Sequence, residues 1–185
     1  MICYVCQAEN WHSFGNLHTQ REIVCCKECG NLCFRVEPTD ETQVKEYYRK
    51  DYRKAPGVEN LVTTTNKQNY IMIFLKDWLE SRKGQKLTFG DYGCATGYMV
   101  HKFRQLGHKA TGSEWTITYR RFSEHFYGVP IPEELPEKHP YDILLMYHVL
   151  EHVTEPDKKL AKLKSLLADG GSILIGTPQW LDVLE

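Results

Sequence analysis

The stretch that decides the fold is Leu87-Thr-Phe-Gly-Asp-Tyr-Gly-Cys-Ala-Thr-Gly97. It begins with the character of a buried strand, breaks into a loop at Gly93 and Gly97, and runs into an amphipathic segment, 98–106. Strand, glycine loop and helix start are the geometry of a nucleotide-binding turn, because glycines let the backbone approach a ligand and a helix N-terminus offers free N–H groups. The stretch therefore predicts a nucleotide-like ligand.

Strands and helices alternate along the chain on the C-terminal side of this loop. The pattern predicts strands at 109–113, 141–147 and 172–176 and helices at 98–106, 115–126 and 156–167. The strand at 141–147 is apolar without alternation, as in a parallel sheet that is buried on both faces. A further strand near 129–131 is blurred by prolines. The fold class is therefore α/β, a Rossmann-like parallel sheet.

Composition bounds the function classes. The chain has 185 residues, 42% hydrophobic and 25% charged, which is typical of a soluble globular protein. Its net charge of −1 argues mildly against a protein that holds nucleic acid by its own field. No apolar run reaches the roughly 18 residues of a membrane span. Because Met1-Ile2-Cys3 shows no secretory signal, we expect a cytoplasmic protein.

Cysteine spacing indicates a metal site near the N-terminus. The pairs Cys3/Cys6 and Cys26/Cys29 are each separated by two residues, and 19 residues lie between the pairs. Two such turns can point four sulfurs at one ion, which is the arrangement of a four-cysteine zinc ribbon. We therefore predict a zinc ribbon over residues 1–40, with Zn²⁺ stabilising a segment too small to build its own core.

Several residues in this segment have alternative interpretations. Cys25 could replace Cys26, although with poorer spacing, and Cys33 has no partner, so both are expected to be spectators. His12 and His18 are interpreted as loop histidines because the cysteine set is already complete. The alternative for the whole set is unrelated buried or free thiols.

Residues 41–84 are interpreted as a connector. One helix is expected in the charged, tyrosine-rich stretch 41–54, and a second, amphipathic helix, with N-cap residues among 63–66, is expected before Gly84. The tyrosines of the first helix, including Tyr47, Tyr48 and Tyr52, have two interpretations. They pack on the main domain as a plain linker would, or one of them reaches over the ligand pocket.

The second predicted strand of the main domain helps to name the ligand. It ends at Glu114, whose carboxylate can accept hydrogen bonds from both hydroxyls of a ribose, and Trp115 beside it can lie against an adenine. These features fit NAD and S-adenosylmethionine equally well. A pyrophosphate, however, needs a closer glycine triplet than the Asp-x-Gly-x-x-x-Gly spacing here, whereas a carboxylate at Asp91 suits a cationic sulfonium amino acid. The spacing therefore favours S-adenosylmethionine.

Four segments together resemble a known family. Asp91-Tyr-Gly-Cys-Ala-Thr-Gly97 resembles motif I of the class I S-adenosylmethionine-dependent methyltransferases. Segments 107–114, 141–153 and 166–178 look like the second strand, the fourth strand with its following turn, and the Gly-Gly segment with the fifth strand. The match covers about residues 85–178 in the right order. Where the family often has a further glycine, this chain has Ala95-Thr96.

The resemblance implies roles for matching positions. Cofactor binding is expected at the following residues: Asp91, Gly93, Cys94, Gly97, Glu114, Trp115, Met146 and Tyr147. Three further residues, His148, Glu151 and His152, would stand where the acceptor enters, and a histidine there could remove a proton from it. A packing role for the Glu-His pair is the alternative. Some quinone-modifying relatives bind a divalent cation here, but His148 stands where they have an acid.

The order of a zinc ribbon followed by such a domain resembles that of sugar-modifying methyltransferases, including C-methyltransferases that act on sugar nucleotides. A ribosomal RNA methyltransferase group also begins with zinc-binding cysteines. The near-neutral charge favours a small-molecule acceptor, and nucleic acid is the alternative.

The expected sheet is C-terminally incomplete. The family normally continues past the fifth strand, whereas residues 85–185 hold room for no more than the elements named above. We therefore expect strand 172–176 to be an exposed edge through which the chain self-associates. The same feature supports an alternative function: a non-catalytic module that binds cofactor or mediates an interaction.

Overall fold

The computed structural model describes residues 1–3, 5–16, 22–35, 41–50, 58–137 and 140–178. The N-terminal segment contains three strands: β1 (Trp11–Asn16), β2 (Glu22–Cys26) and β3 (Leu32–Phe34). Two helices follow: α1 (Glu41–Lys50) and α2 (Val58–Glu80). The remaining elements alternate: β4 (Thr88–Tyr92), α3 (Tyr98–Gln105), β5 (Lys109–Ser113), α4 (Ile117–Tyr127), β6 (Tyr141–Tyr147), a 3-10 turn (Leu150–His152), α5 (Pro156–Ser165) and β7 (Leu167–Gly176). His18, Tyr52 and residues 179–185 lie outside the described residues.

The main sheet is parallel, with strand order β5-β4-β6-β7. The predicted Rossmann-like α/β fold is confirmed. Strand β4 is central, with β5 on one side and β6 on the other, so the chain changes direction across the sheet at β4. Ligands in open α/β sheets bind at the carboxyl ends of the strands beside such a switch point. The loop that follows Tyr92 therefore lies where a ligand is expected.

Apolar side chains on both faces of the sheet form the core. On one face Phe89 of β4 stacks on Phe103 of α3, with 3.9 Å between ring centroids, and Ile71 and Leu75 of α2 belong to the same cluster. A second cluster on β6 and α5 includes Leu144 and other buried residues. Burial of this apolar area is the main force that holds the helices on the sheet.

The predicted starts of three elements differ from the structure by two or more residues. Helix α2 begins at Val58, so the predicted N-cap at 63–66 was wrong. Helix α4 begins at Ile117, so Trp115 lies in the loop before it. Strand β7 begins at Leu167, five residues before the predicted start at 172, and its pairing with β6 is irregular between Tyr141 and Ile143. A helix or a strand extends through residues of weak local preference where neighbouring elements contact it.

The possible strand at 129–131 is not a strand. The described part of 129–137 runs as irregular chain, although Val129, Ile131 and Leu135 are buried. Prolines lack the N–H that a strand ladder needs, so this segment contributes side chains to the core and a carbonyl, at Pro132, to the N–H of Glu114 at 3.0 Å.

Strand β7 lies at the end of the sheet as far as the structure describes it, and Ile175 on it is 40% exposed. Self-association through this strand stays a prediction. Within the described chain, every helix is too short or too polar to cross a membrane.

Candidate cofactor and metal sites

The loop between β4 and α3 requires its two glycines. Gly93 and Gly97 have φ values of +75° and +72°, which other residues rarely adopt. A Cβ on Gly93 would lie 2.5 Å from Cγ2 of Val149, and one on Gly97 would overlap Oγ of Ser123. The glycines therefore also let the segment after β6 and helix α4 contact the loop backbone directly.

Glu114 closes on the same loop from the end of β5. Its Oε2 accepts a hydrogen bond from the N–H of Ala95 at 2.9 Å, and its Oε1 accepts one from the N–H of Thr116 at 2.8 Å. Ala95 has φ +46°, so the N–H points to the acid at the cost of an unfavourable backbone conformation. Each carboxylate oxygen has a further lone pair, so Glu114 keeps the capacity to accept ribose hydroxyls.

Asp91 is a buried acid near the end of β4. It is 2% exposed, and its Oδ2 has no hydrogen-bond partner among the described residues. Burial, with a smaller contribution from the charge of Glu114, raises the pKa of Asp91 to about 8. Burial also raises the pKa of Glu114. A buried acid that lacks a cation suits a positively charged ligand group, and the α-amino group of S-adenosylmethionine has that chemistry.

Gln68 is a site residue that the sequence analysis missed. It lies on the buried face of α2, 7% exposed, and its Nε2 donates to the carbonyl of Cys94 at 3.1 Å. Its Oε1 accepts a hydrogen bond from the Thr96 hydroxyl at 3.2 Å. The available signal was its spacing, since Gln68 stands three residues before Ile71 and seven before Leu75, on an otherwise apolar helix face.

The side chains of two predicted cofactor residues fill the core. Cys94 is fully buried, and its Sγ lies 2.6 Å from where a Cβ on Gly112 would be. Met146 is fully buried in the cluster of β6 and α5. Contact with a ligand would therefore come from the backbone at Cys94. Tyr147 is half-buried, with its ring 4.4 Å from that of His148.

His148, Glu151 and His152 form one cluster beyond β6. Oε1 of Glu151 lies 3.9 Å from Nδ1 of His148 and 3.9 Å from Nε2 of His152. His148 has φ +55°, and its N–H donates to the carbonyl of Gly176 at 2.8 Å, which fixes the turn to β7. The histidine side chains are 43% and 52% exposed, so they are open to an incoming acceptor. Val149 links the cluster to Gly93 in the loop between β4 and α3, residues 93–97 (the cofactor loop).

Helix α1 places further side chains next to the cluster of His148, Glu151 and His152. The ring of Tyr48 lies 6.1 Å from that of Trp115 and 6.0 Å from that of His152. Lys45 lies over the Trp115 ring, with Nζ 5.1 Å from the centroid, and the indole N–H donates to Glu134 at 3.4 Å. Of the two interpretations of the α1 tyrosines, this position favours the one in which a tyrosine reaches over the pocket.

The four predicted zinc cysteines converge. The sulfurs of Cys3, Cys6, Cys26 and Cys29 all lie within 4.8 Å of one another, with 3.7 Å between Cys3 and Cys29 and 3.5 Å between Cys6 and Cys26. Sulfurs at 2.3 Å from a tetrahedral zinc are about 3.8 Å apart, so the set fits this ion. Neither Cys25 nor Cys33 belongs to the group.

The two cysteine turns repeat one hydrogen-bond pattern. In the first, the N–H of Gln7 donates to the carbonyl of Cys3 at 2.8 Å, and in the second, the N–H of Gly30 donates to that of Cys26 at 2.9 Å. The matching residues have φ values of +63° at Gln7 and +74° at Gly30. The turns are therefore built alike, although only the second has a glycine at the strained position.

The thiol of Cys3 has a lowered pKa. Burial raises the pKa of Cys3, but hydrogen bonds from the backbone of Cys6 and Val5 oppose it and lower the pKa to about 7. Such N–H groups stabilise a thiolate, the form in which cysteine binds metal. This donor set fits a structural zinc with four protein ligands and no open position.

Comparison with known proteins agrees with this geometry. A family model described as a methyltransferase domain matches residues 71–183, more than half of the chain. The chain belongs to the methyltransferase domain family. The predicted class I, S-adenosylmethionine-dependent type is thereby confirmed at the level of the family, together with the fold. The match begins at residue 71, inside α2 and three residues after Gln68.

Two curated relatives of this methyltransferase domain are tRNA U34 carboxymethyltransferases. The protein from Pseudoalteromonas atlantica is 32% identical over 100 residues, which are 47% of this chain and 30% of the relative. The protein from Idiomarina loihiensis is 28% identical over 102 residues, 47% of this chain and 31% of the relative. The match thus spans less than a third of the length of these relatives.

Solved structures share the fold. The magnesium protoporphyrin IX methyltransferase of Synechocystis PCC 6803 with bound SAM matches with a TM-score of 0.50 and 16% identity, over 80% of this chain and 84% of that one. The plantazolicin methyltransferase in complex with SAH matches with a TM-score of 0.52 and 16% identity, over 71% and 56%. At this identity the likeness concerns the fold alone.

Proposed function

We propose that this methyltransferase domain binds S-adenosylmethionine and transfers its methyl group to a small-molecule acceptor, a sugar or sugar nucleotide being the first candidate. The observation that carries the proposal is the buried carboxyl of Asp91, whose Oδ2 has no partner among the described residues, beside a loop that Glu114 and Gln68 both hold by hydrogen bonds. Asp91 would hold a cation, Glu114 would accept hydrogen bonds from a ribose, and the loop backbone between them is held in place.

The chain's own residues would divide the work as follows. The cofactor supplies an electrophilic methyl group. Asp91 and the loop backbone would hold its amino acid end, Glu114 its ribose, and Trp115 its adenine. His148 or His152, beside Glu151, would orient the acceptor and hold the proton it loses. The half-exposed histidines lie on the segment that contacts the loop through Val149, so acceptor and cofactor would meet at the end of β4 and β6.

A second proposal concerns the N-terminal segment. We propose that Cys3, Cys6, Cys26 and Cys29 bind one structural Zn²⁺, because their sulfurs have the spacing of a tetrahedral site. Metal analysis of the purified protein should give one zinc per chain, and the Cys26→Ser variant should lose it. Zinc retained by Cys26→Ser but lost by Cys25→Ser would show that the neighbouring cysteine is the ligand.

An RNA acceptor is the alternative, and the two relatives named tRNA U34 carboxymethyltransferases favour it. The net charge of −1 favours the small molecule. A non-catalytic module that binds cofactor without transfer is a further alternative. The cytoplasmic location stays a prediction.

Two measurements test the proposed function. Calorimetric titration with S-adenosylmethionine should show one site in the wild type and at least tenfold weaker binding in Glu114→Ala, since ribose hydrogen bonds to a charged group are lost. Absence of binding by the wild type would refute the cofactor assignment. Transfer of labelled methyl into cell extract, separated into small molecules and RNA, then distinguishes the acceptors, and binding without any transfer would support the non-catalytic module.

A further inference from the structure

Helix α1 is attached to the main domain by a row of ion pairs. Glu41, Lys45 and Arg49 are spaced four residues apart and so share one helix face. Their partners come from the main domain: Lys159 at 3.3 Å from Glu41, Glu134 at 2.8 Å from Lys45, and Glu133 next to Arg49. These partners lie on α5 and on the irregular segment after α4, so the helix bridges these two parts of the main domain.

The ion pairs of this attachment are partly open to solvent. None of the side chains of α1 that the structure describes is fully buried, and the paired side chains are between 14% and 48% exposed. Exposed ion pairs contribute little each and are screened by salt. Helix α1 can therefore separate from the domain without exposing a hydrophobic core.

Tyr48 of α1 contacts residues of both the proposed cofactor site and the proposed acceptor site. It follows Lys45 by three residues, and its ring meets Trp115 on one side and His152 on the other, at interplanar angles of 63° and 64°. These are edge-to-face distances at which aromatic rings attract. Trp115 belongs to the proposed cofactor side and His152 to the proposed acceptor side. Tyr48 thus stands at the boundary between the two.

We propose that α1 is a strap that closes over the ligand and that Tyr48 is the positioning residue it delivers between Trp115 and His152. This inference rests on the proposed function and adds a part to the same site. When the strap is closed, Tyr48 shields the cofactor from solvent and fixes the His152 ring toward the acceptor. When it opens, the product S-adenosylhomocysteine can leave.

The test uses the full chain and S-adenosylhomocysteine, which needs no acceptor. We expect Tyr48→Ala to weaken binding about tenfold, mainly through faster dissociation in stopped flow, and Tyr48→Phe to stay within about twofold of wild type, because the ring makes the contacts. Tyr70→Ala is the matched control, since Tyr70 is 64% exposed on α2 and should leave binding unchanged. Amide exchange in residues 44–50 should slow when ligand binds to the wild type, and less so in Tyr48→Ala.

Salt provides an independent readout. Raising ionic strength from about 0.05 M to 0.5 M should speed ligand dissociation from the wild type, and should affect a Glu41→Gln/Lys45→Gln/Arg49→Gln variant much less. Equal affinity of Tyr48→Ala and wild type, with unchanged exchange in α1, would overturn the strap while leaving the proposed cofactor intact. If the wild type itself fails to bind S-adenosylhomocysteine, both the strap and the proposed function are overturned.

Discussion

The hydroxyl of Thr96 donates a hydrogen bond to Oε1 of Gln68 at 3.2 Å, in a place where both residues are buried. The same amide donates through Nε2 to the carbonyl of Cys94. A helix that precedes the sheet in sequence thus fixes the backbone of the cofactor loop, in addition to the hydrogen bond that Glu114 accepts from Ala95. The loop owes its shape to these contacts as well as to its own glycines.

We expect Gln68→Leu to destabilise the domain by about 1–3 kcal/mol, because the buried Thr96 hydroxyl loses its acceptor and the Cys94 carbonyl keeps only the hydrogen bond from the Gly97 N–H. Thr96→Val should cost a similar amount, since it strands Oε1 of Gln68. The double variant should lose less stability than the two single variants together, because it contains neither the Thr96 hydroxyl nor Oε1 of Gln68 and so leaves neither group without its partner. Urea unfolding of the wild type, the two single variants and the double variant measures this, and additive costs would contradict a direct hydrogen bond between Thr96 and Gln68.

Asp91 should make stability depend on pH. Its pKa is raised from 3.8 to about 8 in the folded chain, first by burial and then by Glu114. Between these values the unfolded chain loses the proton and the folded chain keeps it, so the free energy of unfolding falls as pH rises from about 4 to 8, by up to about 1.4 kcal/mol per pH unit. Asp91→Asn should show a flatter curve and greater stability at pH 8. A wild type whose stability rises across this range relative to Asp91→Asn would refute the assignment.

The same carboxyl should couple binding to proton release. A cationic amino group beside Asp91 favours the ionised acid, so S-adenosylhomocysteine should bind more tightly as pH rises from 6 to 8. Calorimetry in two buffers of different ionisation enthalpy should show a proton released at pH 7 by the wild type, and less release by Asp91→Asn. Identical release by both proteins would place the ammonium elsewhere.

The sequence alone predicted the architecture and those site residues that belong to a local sequence pattern. The apolar strand 141–147 and the glycine loop after Tyr92 predicted the parallel sheet, because burial on both faces leaves a continuous apolar run. The cysteine spacing predicted a cluster that the structure brings within one ion's reach. These features are local, so a single window of sequence contains them.

The missed parts depend on contacts between distant segments. Gln68 reaches a loop 26 residues away, and no window that contains only α2 reveals its partner. Trp115 was placed in a helix because its spacing to Tyr119 is helical, yet the hydrogen bond from the Thr116 N–H to Glu114 holds that turn outside the helix. The left-handed backbone at Ala95 is likewise set by Glu114 and not by a residue type that favours it.

The cofactor loop offers a pair of opposite substitutions. Gly97→Ala should destabilise the domain by more than about 2 kcal/mol, since a Cβ there is strained at φ +72° and overlaps Oγ of Ser123. Ala95→Gly should be neutral or stabilise by less than about 1 kcal/mol, because relief at φ +46° is partly offset by the greater freedom of glycine in the unfolded chain. Thermal unfolding of both variants checks the signs, and a stable Gly97→Ala protein would show that α4 can move away from the loop.

The two cysteine turns offer a second such pair, at positions that match in structure but not in sequence. Gln7 and Gly30 have φ values of +63° and +74° and make equivalent hydrogen bonds to Cys3 and Cys26. Gln7→Gly should therefore strengthen zinc retention, and Gly30→Ala should weaken it, with changes of about 1 kcal/mol in opposite directions. Nothing lies within 4 Å of a Cβ on Gly30, so any cost there reflects backbone conformation and not a clash. Competition with a zinc chelator at fixed pH measures both, and loss of zinc on Gln7→Gly would mean that the glutamine side chain itself supports the turn.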